Sequence, residues 1–373
     1  MSTLEIRPSR PEELAQLMPL FEHSRQLMRA SGNHCQWVGG YPSPALIEQD
    51  IRQGYSIAIL DGDSLVGTFA FIIGRDPTYT HIDGGSWQDD DIPYGTIHRL
   101  ACAPGQHGIA AACVEWCSKQ ITSLRIDTHA DNAIMRHIVE KLGFQYQGII
   151  HIADGTPRLA YQITDTRQLC TPLTAYIEQQ VRPQYRYFDA AHREDHMQSV
   201  IDNSLMLAQH YDVNINMVYT IAAYHDLGLS GGREQHHHLS KQILLGDKQL
   251  LRWFSPRQID VMADAVEDHR ASSTQMPRTI YGKIVAEADR DIDADKIVLR
   301  TVQYGLTHYP ELDKEAQWQR ALAHLEEKYG PGGYLTLYLP ESHNAEGLAQ
   351  LRTLIANRDA LRAAFNKIWE ENT

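Results

Sequence analysis

The sequence predicts an α+β protein. A mixed α/β N-terminal part, built on a twisted and mostly antiparallel sheet, precedes an all-α C-terminal part. Up to about residue 164, short apolar runs alternate with amphipathic stretches, and Asp/Gly turns fall between them. Beyond about residue 165 the strand signals fade and long helical periodicities take over. With 373 residues, 43% of them apolar, the chain can bury two separate cores. The expected division is 1–164, a linker over 165–183 that contains Pro172 and Pro183, and 184–373.

Leu4–Arg7 reads as a short strand, and Pro11 to about Ala30 as an amphipathic helix closed by Ser31-Gly-Asn. Tyr55–Leu60 and Ser64–Ile73 flank Asp61-Gly-Asp as a hairpin. Gly95–Cys102 is a strand leading through Ala103-Pro-Gly-Gln-His-Gly108 into a helix from Ile109 to about Lys119. Leu124–Thr128 is a strand. Asp131 or Asn132 caps a helix that Gly143 stops. Phe144–Ile150 and Arg158–Gln162 pair across Asp154-Gly155. Thr174–Gln180 is expected to be helical. Further helices are expected near 192–210, 214–227, 236–246, 256–268, 277–300, 312–329 and 344–371, with an extended insert at Tyr334–Leu339.

The net charge of −13, with no Lys/Arg cluster, argues against a nucleic-acid or anionic-membrane surface. A small anionic substrate stays possible if a bound cation supplies local positive charge. The five cysteines are odd in number and lack zinc-type pair spacing. Cys113 and Cys117, four apart on a helix, read as small buried apolar groups. The N-terminus has no basic-then-apolar leader pattern and no run long enough to span a bilayer, so a cytoplasmic protein is expected.

The most informative residues are His225-Asp226, inside the apolar run Thr220–Leu229. Two adjacent polar side chains in a buried stretch are costly to desolvate unless something compensates them, and a metal ion does so. His196 precedes the doublet, the triplet His236-His237-His238 follows it, and His269 and Asp289 come later. Imidazole and carboxylate suit Fe, Mn, Zn, Co or Ni without choosing among them. His210, His308, His324 and His343 read as ordinary polar residues.

These residues resemble the HD superfamily of metal-dependent phosphohydrolases over roughly 184–300. Phe188-Asp-Ala-Ala-His192 with Asp195-His196 is similar to its first motif, His225-Asp226 to the doublet that names it, and Asp289 to its closing Asp. The resemblance implies one metal held by His196, His225, Asp226 and Asp289. A second is implied on His236 or His237, with Ser240 four residues after His236, and on His269, Asp226 bridging the two. His225, Asp226 and His269 would then carry the chemistry. Arg270, Lys283, Arg233 and Arg290 are the basic residues nearest in sequence, with Arg270 and Lys283 preferred for substrate phosphate. The implied substrate is a small phosphorylated molecule of nucleotide type.

The N-terminal segment resembles the GNAT N-acetyltransferase family over nearly all of 1–164. Arg99-Leu-Ala with Gly108-Ile-Ala110 is similar to that family's coenzyme A pyrophosphate loop. Asp127–Asn132 with Glu140-Lys-Leu-Gly-Phe144 is similar to its later motif, and Trp37–Pro42 to its substrate-side loop. Acetyl-CoA is the implied cofactor, held by Leu100, Ala101, Cys102, Gln106, His107, Gly108, Ile109, Ala110 and Asn132. A small amine is the implied acceptor, with His98, Tyr94 and Asp127 as candidates for removing its proton. Two departures stand out: Gly105 where the family usually has Arg or Gln, and Val139 where a general-acid Tyr often lies. They leave room for a domain that senses acyl-CoA without catalysis. An interaction module with a purely structural metal is a further alternative.

Overall fold

The computed structural model describes residues 4–188, 194–232, 234–270 and 275–372. Asp189, Ala190, Ala191, His192 and Arg233, which belong to the expectations above, lie outside the described residues. The contacts divide the chain into two compact units: residues 1–176 with 248–259, and residues 177–247 with 260–373. An α/β N-terminal sheet region and a helical C-terminal region are both present. Among the described residues, no helix is long and apolar enough to cross a membrane.

The first unit holds a seven-stranded sheet in the order β1-β2-β3-β4-β5-β7-β6. Its strands are β1 (Glu5–Pro8), β2 (Ser56–Asp61), β3 (Ser64–Ile73), β4 (Tyr94–Cys102), β5 (Ser123–Thr128), β6 (Gln145–His151) and β7 (Pro157–Thr164). Every neighbouring pair is antiparallel except β4–β5. The hairpins close at Asp61-Gly-Asp and Asp154-Gly155, where Gly62 and Gly155 take positive φ. Helix α1 (Leu14–Ala30) follows a short 3-10 turn at Pro11–Glu13, and α2 spans Pro44–Arg52. Helix α2 is not among the expected elements, although Ser43 caps Leu46 N–H and Pro44 opens the helix. Helices α3 (Ile109–Ser118) and α4 (Ala133–Lys141) cover the core formed by Ile57, Phe69, Ile97 and Ile126, with Cys113, Cys117 and Val139 buried in it. Cys113 and Cys117 are buried and form no disulfide, in line with an apolar role for the pair.

The position of the cavity follows from strand register. β4 and β5 pair only from Tyr94/Ser123 to Ile97/Ile126, yet both strands continue to Cys102 and Thr128. A bulge on β4 skips Arg99 and Leu100 against Phe69 of β3, and Arg99 has φ +53. The unpaired ends of β4 and β5 therefore leave His98, Arg99, Leu100, Asp127 and Thr128 as walls of a cavity of about 650 Å³.

After α5 (Thr171–Tyr176) and a single π turn at Ile177–Val181, the chain is helical. The elements are α6 (Glu194–Ala208), α7 (Ile215–Tyr224), α8 (His236–Gly246), α9 (Pro256–Asp268), α10 (Ile280–Ala288), α11 (Ala294–His308), α12 (Lys314–Tyr329), α13 (His343–Ala356) and α14 (Arg358–Asn372). Two long expected helices are each broken in two. The 277–300 stretch stops after Ala288, and Asp293 starts α11 by accepting from Lys296 N–H. The 344–371 stretch breaks at Asn357, with ψ 86. Tyr334–Leu339 forms no strand: the Tyr334 and Leu335 N–H groups donate to the Glu327 and Lys328 carbonyls, and Tyr338 N–H to Glu287 Oε2. Helices α11 to α14 enclose their own core around Val298, Trp318, Leu351 and Phe365.

Candidate metal centre and N-terminal cavity

Helix α7 is mostly apolar and buried on every face, each residue from Asn216 to Tyr224 being buried. It delivers His225 and Asp226, 0% and 4% exposed, into the interior of the second unit. His196 arrives from α6. Asp289 follows the last residue of α10, His269 follows α9, and His236 is the first residue of α8.

Asp226 is the centre of the arrangement. Its Oδ2 faces His225 Nε2 at 3.3 Å and His196 Nε2 at 3.7 Å. Its Oδ1 faces His269 Nε2 at 3.5 Å and His236 Nε2 at 3.6 Å. Asp289 Oδ1 completes the first group, 3.1 Å from His196 Nε2 and 3.7 Å from His225 Nε2. Two imidazole nitrogens oppose each other in each group, His196 with His225 at 3.4 Å and His236 with His269 at 3.1 Å. One proton can satisfy only one nitrogen as donor and one as acceptor, whereas a cation takes both lone pairs. Donors bound at about 2.1 Å to one ion lie roughly 3.0–3.4 Å apart. The two imidazole–imidazole separations fall in that range and the imidazole–carboxylate ones run from 3.1 to 3.7 Å, so the His/Asp cluster could hold metal.

The nitrogens behind the cluster are also settled. His225 Nδ1 lies 2.7 Å from the Ala222 carbonyl, and His269 Nδ1 lies 2.5 Å from the Val266 carbonyl. Donation there turns each Nε2 toward the cluster as the prospective ligand atom. The buried Tyr185 hydroxyl donates to the Ala223 carbonyl at 2.9 Å and receives Asp226 N–H at 3.4 Å, which fixes the backbone of the doublet. Burial opposes charge on His225, but Asp226 and Asp289 outweigh it and raise its pKa to about 9. Burial likewise opposes charge on Asp226 and Asp289, and their histidine partners hold both carboxylates low. The field of the cluster favours a cation.

Of the two rival histidines, the structure brings His236 to the cluster and not His237. A Cβ on Gly228 would lie 2.0 Å from the His236 carbonyl oxygen, and Ser240 Oγ accepts Gly228 N–H at 2.8 Å. Ser240 thus anchors the loop after the doublet against the first turn of α8. The next residue is turned by about 100° on the helix. His237 stacks beside His238, and burial, then His238 and Arg270, push its pKa down to about 4. His238 is drawn off to Glu267, which Lys241 and Arg278 also bind.

The basic candidates divide as well. Arg270 donates to the Glu234 carbonyl at 2.8 Å, close enough to His237 to act on its charge. Lys283 is half-buried and makes no ion pair among the described residues. Arg290, counted above as a phosphate candidate, is buried against Glu287 and bonded to the Thr336 carbonyl, so its charge is already used inside the fold.

In the first unit, Gly108 caps α3 with φ +77 and no side-chain acceptor, which leaves the first N–H groups of the helix for an anion. Gln106 and His107 are exposed beside it. Ala101 and Ile109 turn their side chains into the core, so only their backbone can meet a ligand. Cys102 and Ala110 are half-buried, and Leu100 and Asn132 line the cavity. Asn132 is also the cap of α4, accepting Met135 N–H, and it donates to Gln36 Oε1. This helix start offers the N–H donors that a pyrophosphate takes, and the cavity wall carries Leu100 and Asn132. Val139 is 1% exposed in the core and offers no proton. Tyr94 turns from the cavity to receive Asp76 N–H and to stack on Arg125. His98 and Asp127 remain in the wall, and Asp76, which sequence reasoning missed, joins them.

Comparison with known proteins bears on both units. The HD domain family model matches residues 193–292. A GNAT-family acetyltransferase structure from Streptococcus agalactiae is 34% identical, covering 43% of this chain and 95% of that one, with a TM-score of 0.41. Another from Listeria monocytogenes is 17% identical over 43% and 94%, with a TM-score of 0.35. A structure described as a predicted HD superfamily hydrolase, from an uncultured Thermotogales bacterium, is 20% identical, covering 39% of this chain and 82% of that one, with a TM-score of 0.29. No curated protein matches the chain.

Proposed function

We propose that this chain, which belongs to the GNAT acetyltransferase family in its N-terminal region and carries an HD domain at residues 193–292, combines two activities. One is metal-dependent hydrolysis of a nucleotide-type phosphate ester or phosphoanhydride. The other is acetyl transfer from acetyl-CoA to a small amine. The working division is 1–164 for the transferase, 165–183 for the linker and 184–373 for the hydrolase.

The observation that carries the first activity is Asp226, whose two oxygens each face a separate pair of histidines. We assign His196, His225, Asp226 and Asp289 to one divalent ion, and His236, His269 and Asp226 to a second. Bound there, divalent ions would acidify a water molecule and neutralise charge developing on phosphoryl oxygens. The histidines keep their Nε2 lone pairs forward because Ala222 and Val266 occupy the opposite nitrogens. Arg270 and Lys283 supply charge for substrate phosphate. The test is metal analysis of chain purified without chelator, with hydrolysis of dinucleoside polyphosphates and phosphodiesters in wild type and His225→Ala. A chain without stoichiometric metal, whose hydrolysis ignores the substitution, refutes the reading.

For the second activity, Gly108 and the start of α3 hold the pyrophosphate, and the splayed ends of β4 and β5 take the acyl arm. Calorimetry with coenzyme A tests it, and absence of binding removes it. The buried Val139 favours one variant of this reading, in which acyl-CoA binding tunes the hydrolase without turnover. A coenzyme A-dependent hydrolysis rate without amine acetylation would mark that variant.

A further inference from the structure

The cavity of the first unit contains an aspartate–histidine pair to which the proposed activities assign no part. Asp76 lies in the connection between β3 and β4, in a segment with no motif. Its Oδ1 accepts Thr78 N–H at 2.8 Å, and its own N–H donates to the Tyr94 hydroxyl at 3.1 Å. Those two bonds aim Oδ2 at His98 Nε2, 3.0 Å away. Burial opposes its charge, but the bonds from His98 and Thr78 hold its carboxyl below the usual range, so it is a carboxylate at neutral pH. On the other side of the imidazole, Nδ1 faces Asp127 Oδ1 across 4.0 Å. Asp127 is itself fixed by the buried Tyr79 hydroxyl, which donates to Oδ1 at 2.6 Å.

We propose that His98 is the base that deprotonates the acetyl acceptor, that Asp76 is its positioning residue, and that Asp127 receives the amine. The proposal rests on the acetyl-transfer reading above. A 4.0 Å gap is too long for a direct bond, but one nitrogen can sit about 2.9 Å from both His98 Nδ1 and Asp127 Oδ1. Asp76 accepts the proton on Nε2, which leaves the Nδ1 lone pair facing that nitrogen. The amine lone pair forms the N–C bond to the thioester carbonyl of acetyl-CoA, and the C–S bond breaks. The nitrogen's surplus proton passes to Nδ1, and the departing thiolate takes a proton from solvent, because Val139 offers none. The charged and titratable groups around His98 are Asp76 before β4, Tyr79 in the following turn and Asp127 on β5. Arg158 on β7 lies 3.9 Å from Asp127, and Asp50 on α2 pairs with Arg99 at 2.8 Å.

The decisive variant is Asp76→Asn. Thr78 N–H still requires an oxygen, so the new amide turns its NH₂ to His98 Nε2 and forces the ring proton onto Nδ1. Nitrogen NMR of the full chain reads this without any cofactor, with the His98 signal identified by its loss in His98→Gln. The wild type is expected to carry its proton on Nε2, and Asp76→Asn on Nδ1. Acetylation of butylamine, 1,4-diaminobutane and 2-phenylethylamine is expected to lose about 100-fold or more in kcat in both variants. The KM for amine should barely change in these two, and Asp127→Asn should raise it. Coenzyme A affinity should be equal throughout, which serves as the control for folding. A wild-type proton on Nδ1, or a ring unmoved by Asp76→Asn, overturns the proposal. So does His98→Gln with full turnover. Coenzyme A that fails to bind the wild type overturns the acetyl-transfer reading instead, and the position of the ring proton then decides by itself whether the dyad exists.

Discussion

If Asp226 serves two ions and Asp289 serves one, isosteric amides at the two positions must fail differently. Asp226 places one oxygen 3.3–3.7 Å from His225 and His196 and the other 3.5–3.6 Å from His269 and His236. Among the described residues, Asp289 meets the imidazoles of His196 and His225. At an effective dielectric constant near 20, one unit charge pair about 4 Å apart is worth about 4 kcal/mol. That is close to a thousandfold in Kd. Bonds to a bound ion are shorter, so the figure is a floor. Asp289→Asn should therefore weaken one equivalent of metal by roughly a thousandfold or more and spare the other. Asp226→Asn should weaken both. Equilibrium dialysis against manganese or zinc, read by elemental analysis, separates the two patterns. Two tight equivalents in Asp226→Asn, or identical behaviour of the two variants, would refute the bridging assignment.

Three further outcomes are expected. Tyr185→Phe leaves the buried Ala223 carbonyl without its donor and should cost about 1–3 kcal/mol in urea unfolding, an unchanged midpoint arguing against the bond. Gly108→Ala adds a Cβ that meets no atom within 4 Å, so only its φ of +77 is penalised, by about 1–2 kcal/mol, whereas Gly347→Ala places Cβ 1.8 Å from the Ile292 carbonyl oxygen and should be the more damaging in thermal unfolding. The hydrogen bonds from Arg7 hold the Glu13 carboxyl below its ordinary 4.5. Its contribution to stability is therefore complete above that value and lost as pH falls through the lower folded one, and Glu13→Gln should flatten that acid limb of melting temperature.

Much of this architecture is legible in local sequence because its causes are local. Asp61-Gly-Asp, Asn132 and Gly143 act on their immediate neighbours, and the strands and α4 fall where those residues put them. Helix breaks are harder. Asn357 and Asp293 interrupt continuous apolar periodicities, and only backbone angles and capping bonds reveal the stops. At the candidate metal centre, spacing suggests which residue types converge but cannot rotate α8, so His236 and His237 look equivalent until the helix is built. The groups that aim the ligands are carbonyls of Ala222 and Val266 and the hydroxyl of Tyr185, which carry no signature of their own. Asp76 is invisible for the same reason: its value depends on β4 bringing His98 beside it, 22 positions away.

The proposed ligands at the ends of α7, α9 and α10 have a consequence of their own. Each helix points its terminal carbonyls, and hence a partial negative charge, toward the same few ångströms that already hold two carboxylates. Such a place repels phosphate until cations have settled in it. On the proposed hydrolase reading these three helix ends favour one order of arrival, ions first and anionic substrate second. Chelation should abolish phosphate binding outright, well before it affects any chemical step.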